Sequence, residues 1–239
     1  MTTIICLSLI SSLALAGVDE AQKVEVLNLY NNLPLAFTQN AGQVNEQVKF
    51  VARGNGATIF FTATGTTFLL SKAKEGSPTR LERELMAEAG PRPDLRPEPM
   101  EREYYALKLE FVGANPNPQV VGEERLPWNN NYFIGNDPSK WRTNVPNYAK
   151  IRLVEVYEGI DLVYYGNKKG LKYDFVIKPG ADPSRIVLGY EGATGINLTP
   201  ESELEIHTSL GKVVERKPYP YQIIEGQKVE VEAFLPITI

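Results

Sequence analysis

Apolar and polar residues alternate along most of the chain from residue 48 onward. In Leu171–Lys178 every odd-numbered position is apolar, whereas Lys172, Asp174 and Lys178 lie at even-numbered positions. Because successive side chains of a strand point to opposite faces, this pattern predicts a strand with one buried and one solvated face. Such strands are typical of antiparallel sheets, since parallel sheets are usually apolar on both faces.

Further runs of this kind are separated by segments of turn composition. Gly54-Asn55-Gly56, Thr64-Gly65 and residues 166–170 favour turns, because Gly and Asn adopt positive φ at little cost. The predicted strands are Val48–Arg53, Ala57–Ala63, Thr66–Ser71, Tyr104–Val112, Tyr148–Tyr157, Ile160–Tyr165, Leu171–Ile177, Arg185–Tyr190, Glu203–Thr208, Lys212–Arg216, Tyr219–Glu225 and Lys228–Leu235. With no sustained helical period between them, we predict an all-β fold, an antiparallel β-sandwich-like or open-barrel domain.

Residues 72–103 interrupt the alternation with seven basic residues, eight acidic residues and five prolines. Proline has no backbone N–H to donate to a neighbouring strand, so the segment is predicted to be a charged, solvated excursion between strands. Thr79 and Glu82 have the spacing of a capping box, which predicts a brief helix over Thr79–Ala89. A lid or a partner-binding arm is the functional alternative for this segment.

Two Asp-Pro dipeptides predict short helical turns between strands. They are Asp137-Pro138 and Asp182-Pro183. The carboxylate caps the first backbone N–H groups, and proline stands where no donor is needed. Asn136 and Asp137 are also possible calcium ligands, but a calcium loop needs several carboxylates close together, so no metal site is predicted.

The N-terminus has the pattern of a secretory signal. Residues 4–16 are uncharged and largely apolar, and they end in Ala14-Leu15-Ala16, the small-x-small motif of a cleavage site. The run is shorter than the roughly 20 apolar residues that span a bilayer. We therefore predict a signal peptide over residues 1–16, with a buried N-terminal helix as the alternative. Its removal takes away Cys6, the one cysteine, which excludes disulfides, thiolate metal sites and a cysteine nucleophile from the mature chain.

Composition narrows the function classes. The 239 residues are 43% hydrophobic and 23% charged, as in an ordinary globular protein. The net charge of −4 and the pI of about 5.3 argue against a nucleic-acid partner, because such proteins carry a basic field that neutralises phosphates.

The densest aromatic region lies within residues 128–148, where rings alternate with asparagines. We predict Trp128, Tyr132, Trp141 and Tyr148 as ligand-binding residues, because aromatic faces beside amides suit a sugar ring or a protein surface. The alternative is that these rings fill the core of the domain. The expected partners are a surface glycan or another cell-surface protein.

Catalytic patterns are weak. His207, the one histidine, alternates with Glu205 on the predicted polar face of a strand, and no Gly-x-Ser-x-Gly motif accompanies it. One histidine is too few for a histidine-rich zinc site. We predict no enzyme, no catalytic residue and no cofactor. A carboxylate glycosidase is the alternative, with Asp161 and Asp174 on neighbouring strands; the full set of candidate acids is Glu155, Glu158, Asp161 and Asp174.

Ordered blocks of residues resemble an N-terminal domain of bacterial surface proteins that commonly precedes the β-propeller repeats called SBBP repeats. The blocks are Pro34-Leu35-Ala36-Phe37, Asn40-x-Gly42-Gln43, residues 48–54, Phe111-Val112-Gly113-Ala114-Asn115-Pro116, residues 131–143, residues 156–166, Tyr173-Asp174-Phe175, residues 179–183 and Glu191-Gly192-Ala193. They cover roughly residues 33–225.

This resemblance implies an exported β-rich module at the head of a larger surface protein, and it carries no established activity. We expect a signal peptide over 1–16, a lead-in segment over 17–32 with one or two helical turns, and a single β-rich domain over 33–239. The expected location is secreted or at the cell surface, without a transmembrane segment after signal removal, and the expected role is structural, adhesive or interaction-based. The chain ends at Ile239 without propeller repeats, so it is expected to be either a truncated product or a module that stands alone.

Overall fold

The computed structural model describes residues 3–10, 35–54, 57–74, 101–167, 170–225 and 227–231. Antiparallel strands make up nearly all of its regular structure, and they curl into a half-barrel. No helix in these ranges is long and apolar enough to cross a bilayer. The predicted lead-in segment 17–32 and the predicted helix Thr79–Ala89 lie outside the described residues.

The described residues contain fifteen strands and two single 3-10 turns. The strands are β1 (Thr3–Ile10), β2 (Phe37–Gln39), β3 (Phe50–Gly54), β4 (Ala57–Phe61), β5 (Gly65–Ala73), β6 (Arg102–Phe111), β7 (Gln119–Tyr132), β8 (Arg142–Tyr157), β9 (Ile160–Asn167), β10 (Gly170–Ile177), β11 (Leu188–Glu191), β12 (Gly195–Leu198), β13 (Leu204–Thr208), β14 (Gly211–Ile224) and β15 (Gln227–Glu230). The turns are Pro138–Lys140 and Pro183–Arg185.

One sheet contains all of these strands. Its order is β11-β6-β5-β4-β3-β2-β8-β9-β10-β1-β14-β13-β12, while β7 pairs with β8 and β15 pairs with β14 beside this path. Most neighbours in the sheet are also neighbours in sequence, as expected for a chain of hairpins. The exceptions are β1, between β10 and β14, β11, beside β6, and the pairing of β2 with β8.

The alternation of polar and apolar residues places the core on the concave face. In β10, Leu171, Tyr173, Phe175 and Ile177 are buried and the residues between them are half-buried, as the sequence pattern predicts. Aromatic rings join the two walls of the curled sheet. The ring centroids of Phe61 on β4 and Tyr164 on β9 are 4.9 Å apart, and the hydroxyl of Tyr164 is 2.8 Å from that of Thr66 on β5.

The all-β prediction is confirmed, and so are both Asp-Pro turns. Asp137 and Asp182 each accept a hydrogen bond from the backbone N–H two residues later. The turns predicted at 54–56, 64–65 and 166–170 each join paired antiparallel strands.

Some predicted boundaries were wrong. β5 continues through Ala73 and β6 begins at Arg102, so both ends of the predicted excursion 72–103 belong to strands. The cause is pairing between those ends, which continues to an ion pair of 2.6 Å between Lys74 and Glu101. The predicted strand Arg185–Tyr190 begins only at Leu188, because its first residue ends a 3-10 turn.

Candidate functional site

The hairpin of β7 and β8 contains the aromatic region that the sequence predicted as a binding surface. Its two strands pair from Gln119 opposite Val154 to Tyr132 opposite Arg142, and the turn Pro138–Lys140 precedes β8. We call residues 128–141 the hairpin tip. It contains both tryptophans of the chain.

Large apolar side chains are unusually exposed at the hairpin tip. Four of the eleven exposed large apolar side chains among the described residues lie in these fourteen positions: Trp128 at 47%, Phe133 at 62%, Ile134 at 55% and Trp141 at 37%. Exposed apolar groups that cluster in this way mark interaction surfaces more often than single ones do. The expectation that the rings fill the core is therefore wrong for Trp128 and Trp141.

Trp141 is held in one orientation. Its indole Nε1 donates a hydrogen bond of 3.1 Å to the carbonyl of Gly135, and its ring meets Phe133 edge-on with centroids 5.2 Å apart. The polar edge of the indole is thus satisfied within the tip itself. A ring that is already oriented loses little conformational entropy when it binds a ligand.

The turn that precedes Trp141 is fixed by charged side chains. Asp137 accepts hydrogen bonds from the hydroxyl and the backbone N–H of Ser139 at 2.7 and 3.1 Å, and these bonds lower the pKa of its carboxyl. Arg142 donates to the carbonyls of Ala41, Ser139 and Trp141 at 2.9–3.0 Å. The guanidinium therefore links the turn to the loop that follows β2.

Two of the asparagines between the rings form hydrogen bonds within the protein and hold the hairpin in place. Asn130 Nδ2 donates to Thr38 Oγ1 and to Asn147 Oδ1, both at 3.2 Å, and Asn147 is fully buried. Asn131 Oδ1 accepts from the backbone N–H of Asn144 at 2.8 Å. These bonds hold β7 against β8 and β2, and they fix the base of the hairpin tip.

The four predicted ligand-binding residues do not form one cluster of contacts. Tyr148 packs into the domain, edge-on to Phe50 with ring centroids 5.8 Å apart. A Cβ added at Gly122 would lie only 2.5 Å from the Tyr148 ring, so glycine is required for that packing. Tyr132 is half-buried, and its hydroxyl oxygen accepts a hydrogen bond of 3.5 Å from Arg53 Nη1. For Tyr148 the core interpretation is the one that fits.

Phe133 lies in the aromatic region that the sequence indicated, but neither Phe133 nor Ile134 was among the four predicted ligand-binding residues. The available signal was the pair of consecutive apolar residues directly before the turn residues Gly135-Asn136, because segments that connect strands run over the protein surface. Phe133 contacts Trp141, and its side chain is more exposed than those of Trp128 and Trp141.

The candidate catalytic acids are engaged with neighbouring groups. Asp161 accepts from the backbone N–H of Glu155 at 2.9 Å and from Arg152 at 3.3 Å, while Asp174 accepts from the hydroxyls of Tyr165 and Tyr221 at 3.0 and 3.2 Å. The register places Asp161 opposite Val176, so the two aspartates are diagonal neighbours rather than a facing pair. The other two candidates, Glu155 and Glu158, form exposed ion pairs with Lys178 and Arg185.

The core contains one carboxyl group that the sequence did not single out. Glu215 is 3% exposed and accepts hydrogen bonds from the hydroxyls of Tyr173 and Tyr190. Burial raises the pKa of Glu215, and burial together with the nearby carboxylate raises those of both tyrosines. This arrangement is a satisfied polar contact inside the half-barrel.

His207 lies on the polar face of β13, as predicted. Its Nε2 is 3.1 Å from Asn197 Nδ2 and 3.6 Å from Glu205, and the neighbouring Ile206 is buried. Among the described residues, no group of three or more His, Cys, Asp or Glu side chains has the geometry to hold a metal ion.

Comparison with known proteins gives one match. Residues 37–234 match the model of a family described as a domain of unknown function, DUF7948. No curated protein and no solved structure matches the chain.

Proposed function

Because the chain belongs to the DUF7948 family of domains of unknown function, we propose its role from its own residues: an exported, non-enzymatic β module that acts in adhesion or interaction at the cell surface. The hairpin tip is its binding surface. The observation that carries this proposal is the exposed, preoriented pair of Trp141 and Phe133, with Trp128 and Ile134 exposed in the same fourteen residues.

The geometry of the tip favours binding. Arg142 and Asp137 hold the turn, and the indole N–H of Trp141 is bonded within the tip. Aromatic residues on a rigid support are the usual anchors of protein interfaces. Exposing two tryptophans costs solubility, so a surface of this kind is expected to be covered by a ligand.

A non-enzymatic role is supported by the state of the candidate acids. Asp161 and Asp174 each accept two hydrogen bonds from protein groups. A general acid or nucleophile must instead direct its carboxyl group toward a substrate. We expect no turnover of a broad panel of chromogenic glycosides, and turnover that disappears in Asp161→Asn would favour the glycosidase alternative.

Carbohydrate binding is the second candidate for the hairpin tip. It is favoured by the exposure of Trp128 and by Asn129, which follows it directly, whereas Asn130 and Asn131 are hydrogen-bonded within the hairpin. An exposed indole face stacks on a sugar ring, and neighbouring amides hydrogen-bond to its hydroxyls.

The test compares single alanine variants of the tip with a matched control. Trp141→Ala, Trp128→Ala and Phe133→Ala are assayed on a glycan array and against the cell-surface fraction of the source cells. Tyr104→Ala is the control, because Tyr104 is an aromatic residue on β6, away from the tip, with 62% exposure.

We expect at least a tenfold loss of binding in the tip variants and no loss in the control, with all four proteins folded by circular dichroism. Binding to a glycan would support the carbohydrate candidate, and binding only to a surface protein would support the protein-interaction role. Equal binding by all variants would remove the hairpin tip from consideration.

Export and gene context are tested separately. Mass spectrometry of the chain from the extracellular or surface fraction is expected to give Gly17 as the first residue. We also propose, from the resemblance, that the module heads a larger protein with β-propeller repeats. The coding sequence downstream of codon 239 checks this part, since repeats there would support it and their absence would leave a module that acts alone.

A further inference from the structure

The strand β1 lies in the middle of the sheet, although its residues belong to the segment that is predicted to be cleaved. Six of its residues pair with β10, from Thr3 opposite Ile177 to Ser8 opposite Lys172. Its other side pairs with β14, from Thr3 opposite Gln222 to Ile10 opposite Val214. Cleavage after Ala16 therefore removes a strand with two neighbours and leaves two edges of the sheet unpaired.

We call the position between β10 and β14 the strand slot. Side chains bridge this slot on both faces of the sheet. On the concave face Tyr173 of β10 donates a hydrogen bond to Glu215 of β14, and on the other face Tyr221 of β14 donates to Asp174 of β10 at 3.2 Å. Only long side chains reach across an intervening strand, so these bridges match a separation of two strand spacings, roughly 10 Å.

Direct pairing of β10 with β14 is disfavoured by the relative direction of the two strands and by their charges. Both strands are antiparallel to β1, so they are parallel to each other, and parallel pairing is slightly less stable per residue than antiparallel pairing. Lys172 and Arg216 are both opposite Ser8 of β1, so closure without a register shift makes these two cations cross-strand neighbours. Like charges in that position destabilise a sheet, and closure also breaks the tyrosine bridges.

We propose that the strand slot of the processed chain is a strand-acceptor site, which binds an extended, uncharged segment of a partner protein by adding it to the sheet. The proposal rests on the proposed function, because only an exported and processed chain loses β1. Backbone hydrogen bonds to β10 and β14 provide affinity in this mode of recognition.

The seated strand indicates the chemistry of the occupant. Thr3–Ile10 has the sequence Thr-Ile-Ile-Cys-Leu-Ser-Leu-Ile, without a charged residue or a proline. On β10, the residues opposite Ile5 and Leu7 are Phe175 and Tyr173, and both are fully buried. A partner segment with a charge at these two positions would bury it against the core, and a proline would lack a donor for the ladder.

The experiment uses the full chain with a specific protease site inserted between Ala16 and Gly17. The protein is folded with β1 in place and then cut, and a fluorescent peptide with the sequence of residues 3–10 is added at several concentrations. We expect the cut chain to bind the peptide with one-to-one stoichiometry and the uncut chain to bind it at least tenfold more weakly. A peptide with Cys6→Pro and Ser8→Pro is the control and is expected not to bind.

The outcome remains informative if removal of residues 1–16 unfolds the chain. Recovery of the β-sheet circular dichroism spectrum on addition of the peptide supports a strand-acceptor site. A processed chain that stays folded without binding the peptide overturns the proposal, and so does an unfolded chain that the peptide fails to rescue. Self-association of the cut chain that the peptide does not displace also counts against a partner strand.

A pair of cysteines tests whether the slot closes. Ile177→Cys and Gln222→Cys, which are both opposite Thr3 of β1, are introduced with Cys6→Ser, so that Lys172 and Arg216 stay in place. Across an occupied slot their Cα atoms are roughly 10 Å apart, too far for a disulfide, whose Cα atoms are usually within about 7 Å. Rapid disulfide formation in the cut chain overturns the proposal, whereas free thiols support it. Failure of export would instead be seen as an uncleaved N-terminus in cells, while the peptide assay would still measure the slot.

Discussion

Tyr190 and Glu215 are hydrogen-bonded although their strands are far apart in the sheet. Tyr190 lies on β11, the first strand in the sheet order, and Glu215 lies on β14, the eleventh. The contact therefore crosses the interior of the half-barrel and joins its two walls. Tyr173, on β10, donates to the same carboxyl group.

Removing the hydroxyl of Tyr190 is expected to destabilise the fold. In Tyr190→Phe, Glu215 loses one of its two donors while it stays buried, and we expect a loss of about 1–3 kcal/mol in the free energy of unfolding. Urea denaturation followed by tryptophan fluorescence measures the change. Tyr104→Phe, at a tyrosine with 62% exposure, is the control and is expected to change it by less than about 0.5 kcal/mol.

The buried carboxyl group of Glu215 predicts a pH dependence with a definite sign. Burial raises its pKa above the ordinary 4.5, so the folded chain holds this proton more tightly than the unfolded chain does. The stabilising contribution is complete below pH 4.5 and is lost as the pH rises through the raised value. Each unit by which the pKa is raised corresponds to about 1.4 kcal/mol at higher pH.

Glu215→Gln removes that titration. The difference in unfolding free energy, wild type minus variant, is expected to fall between pH 4 and pH 8 in urea titrations at matched ionic strength. Other carboxyl groups, such as those of Asp137 and Asp182, titrate alike in both proteins and cancel in this difference. A difference that is independent of pH would contradict a raised pKa for Glu215.

The alternation of polar and apolar residues was sufficient to predict most of the strands, because a strand with one buried face shows that alternation in its own sequence. β7 was missed for a physical reason: Pro127 and three consecutive asparagines are unfavourable in strands. Its pairing with β8 and the bonds of Asn130 to Thr38 and Asn147 outweigh that preference. Such contacts join residues that are far apart in sequence.

The prolines of β14 are also unfavourable in a strand, and for that reason one strand was predicted as two. The sequence predicted two strands separated near Pro218, whereas the structure has one strand over Gly211–Ile224. Pairing of β14 with β13 ends at Glu215, and pairing with β15 begins at Tyr221. Pro218 lies between these two partners, and on the β1 side it lies at the register shift between Arg216 and Tyr219, so its missing N–H interrupts no regular ladder.

The candidate site was predictable as a region but not as a set of residues. The sequence indicated the aromatic density of residues 128–148, yet it could not separate Trp141, which is exposed, from Tyr148, which packs on Phe50. That distinction depends on Gly122 and Phe50, which come from other strands. The buried Glu215 was equally hidden, because its tyrosine partners lie 42 and 25 residues away in sequence.

Gly122 is expected to tolerate no side chain, because the Tyr148 ring occupies that space. A Cβ at Gly122 would lie 2.5 Å from the ring, so Gly122→Ala must displace Tyr148 and is expected to cost about 1–3 kcal/mol. Gly195 is the matched control, since it also lies in a strand and a Cβ there meets nothing within 4 Å. Equal unfolding midpoints for the two variants in urea would show that Tyr148 moves without cost.

The pairing of β8 with β9 shifts register between Leu153 and Tyr157. Asp161 is expected to stabilise this irregular segment rather than to act on a substrate. Its carboxylate accepts the backbone N–H of Glu155 at 2.9 Å, and Glu155 has a φ of 53°. Arg152 and Lys178 neutralise it at 3.3 and 3.6 Å. Asp161→Ala leaves the backbone N–H of Glu155 without its acceptor, while Arg152 and Lys178 keep Glu123 and Glu155 as partners. We expect a loss of about 1.5–3 kcal/mol in unfolding free energy.

Two further variants separate the hydrogen bond of Asp161 from its charge. Asp161→Asn keeps an acceptor for the N–H of Glu155 and is expected to lose less stability than Asp161→Ala. Glu158→Ala removes an ion pair with Arg185 whose glutamate side chain is 85% exposed, and it is expected to cost less than about 1 kcal/mol. Thermal and urea unfolding of the three variants check this order of stability loss. If the role of Asp161 were wholly electrostatic, Asp161→Asn would cost as much stability as Asp161→Ala.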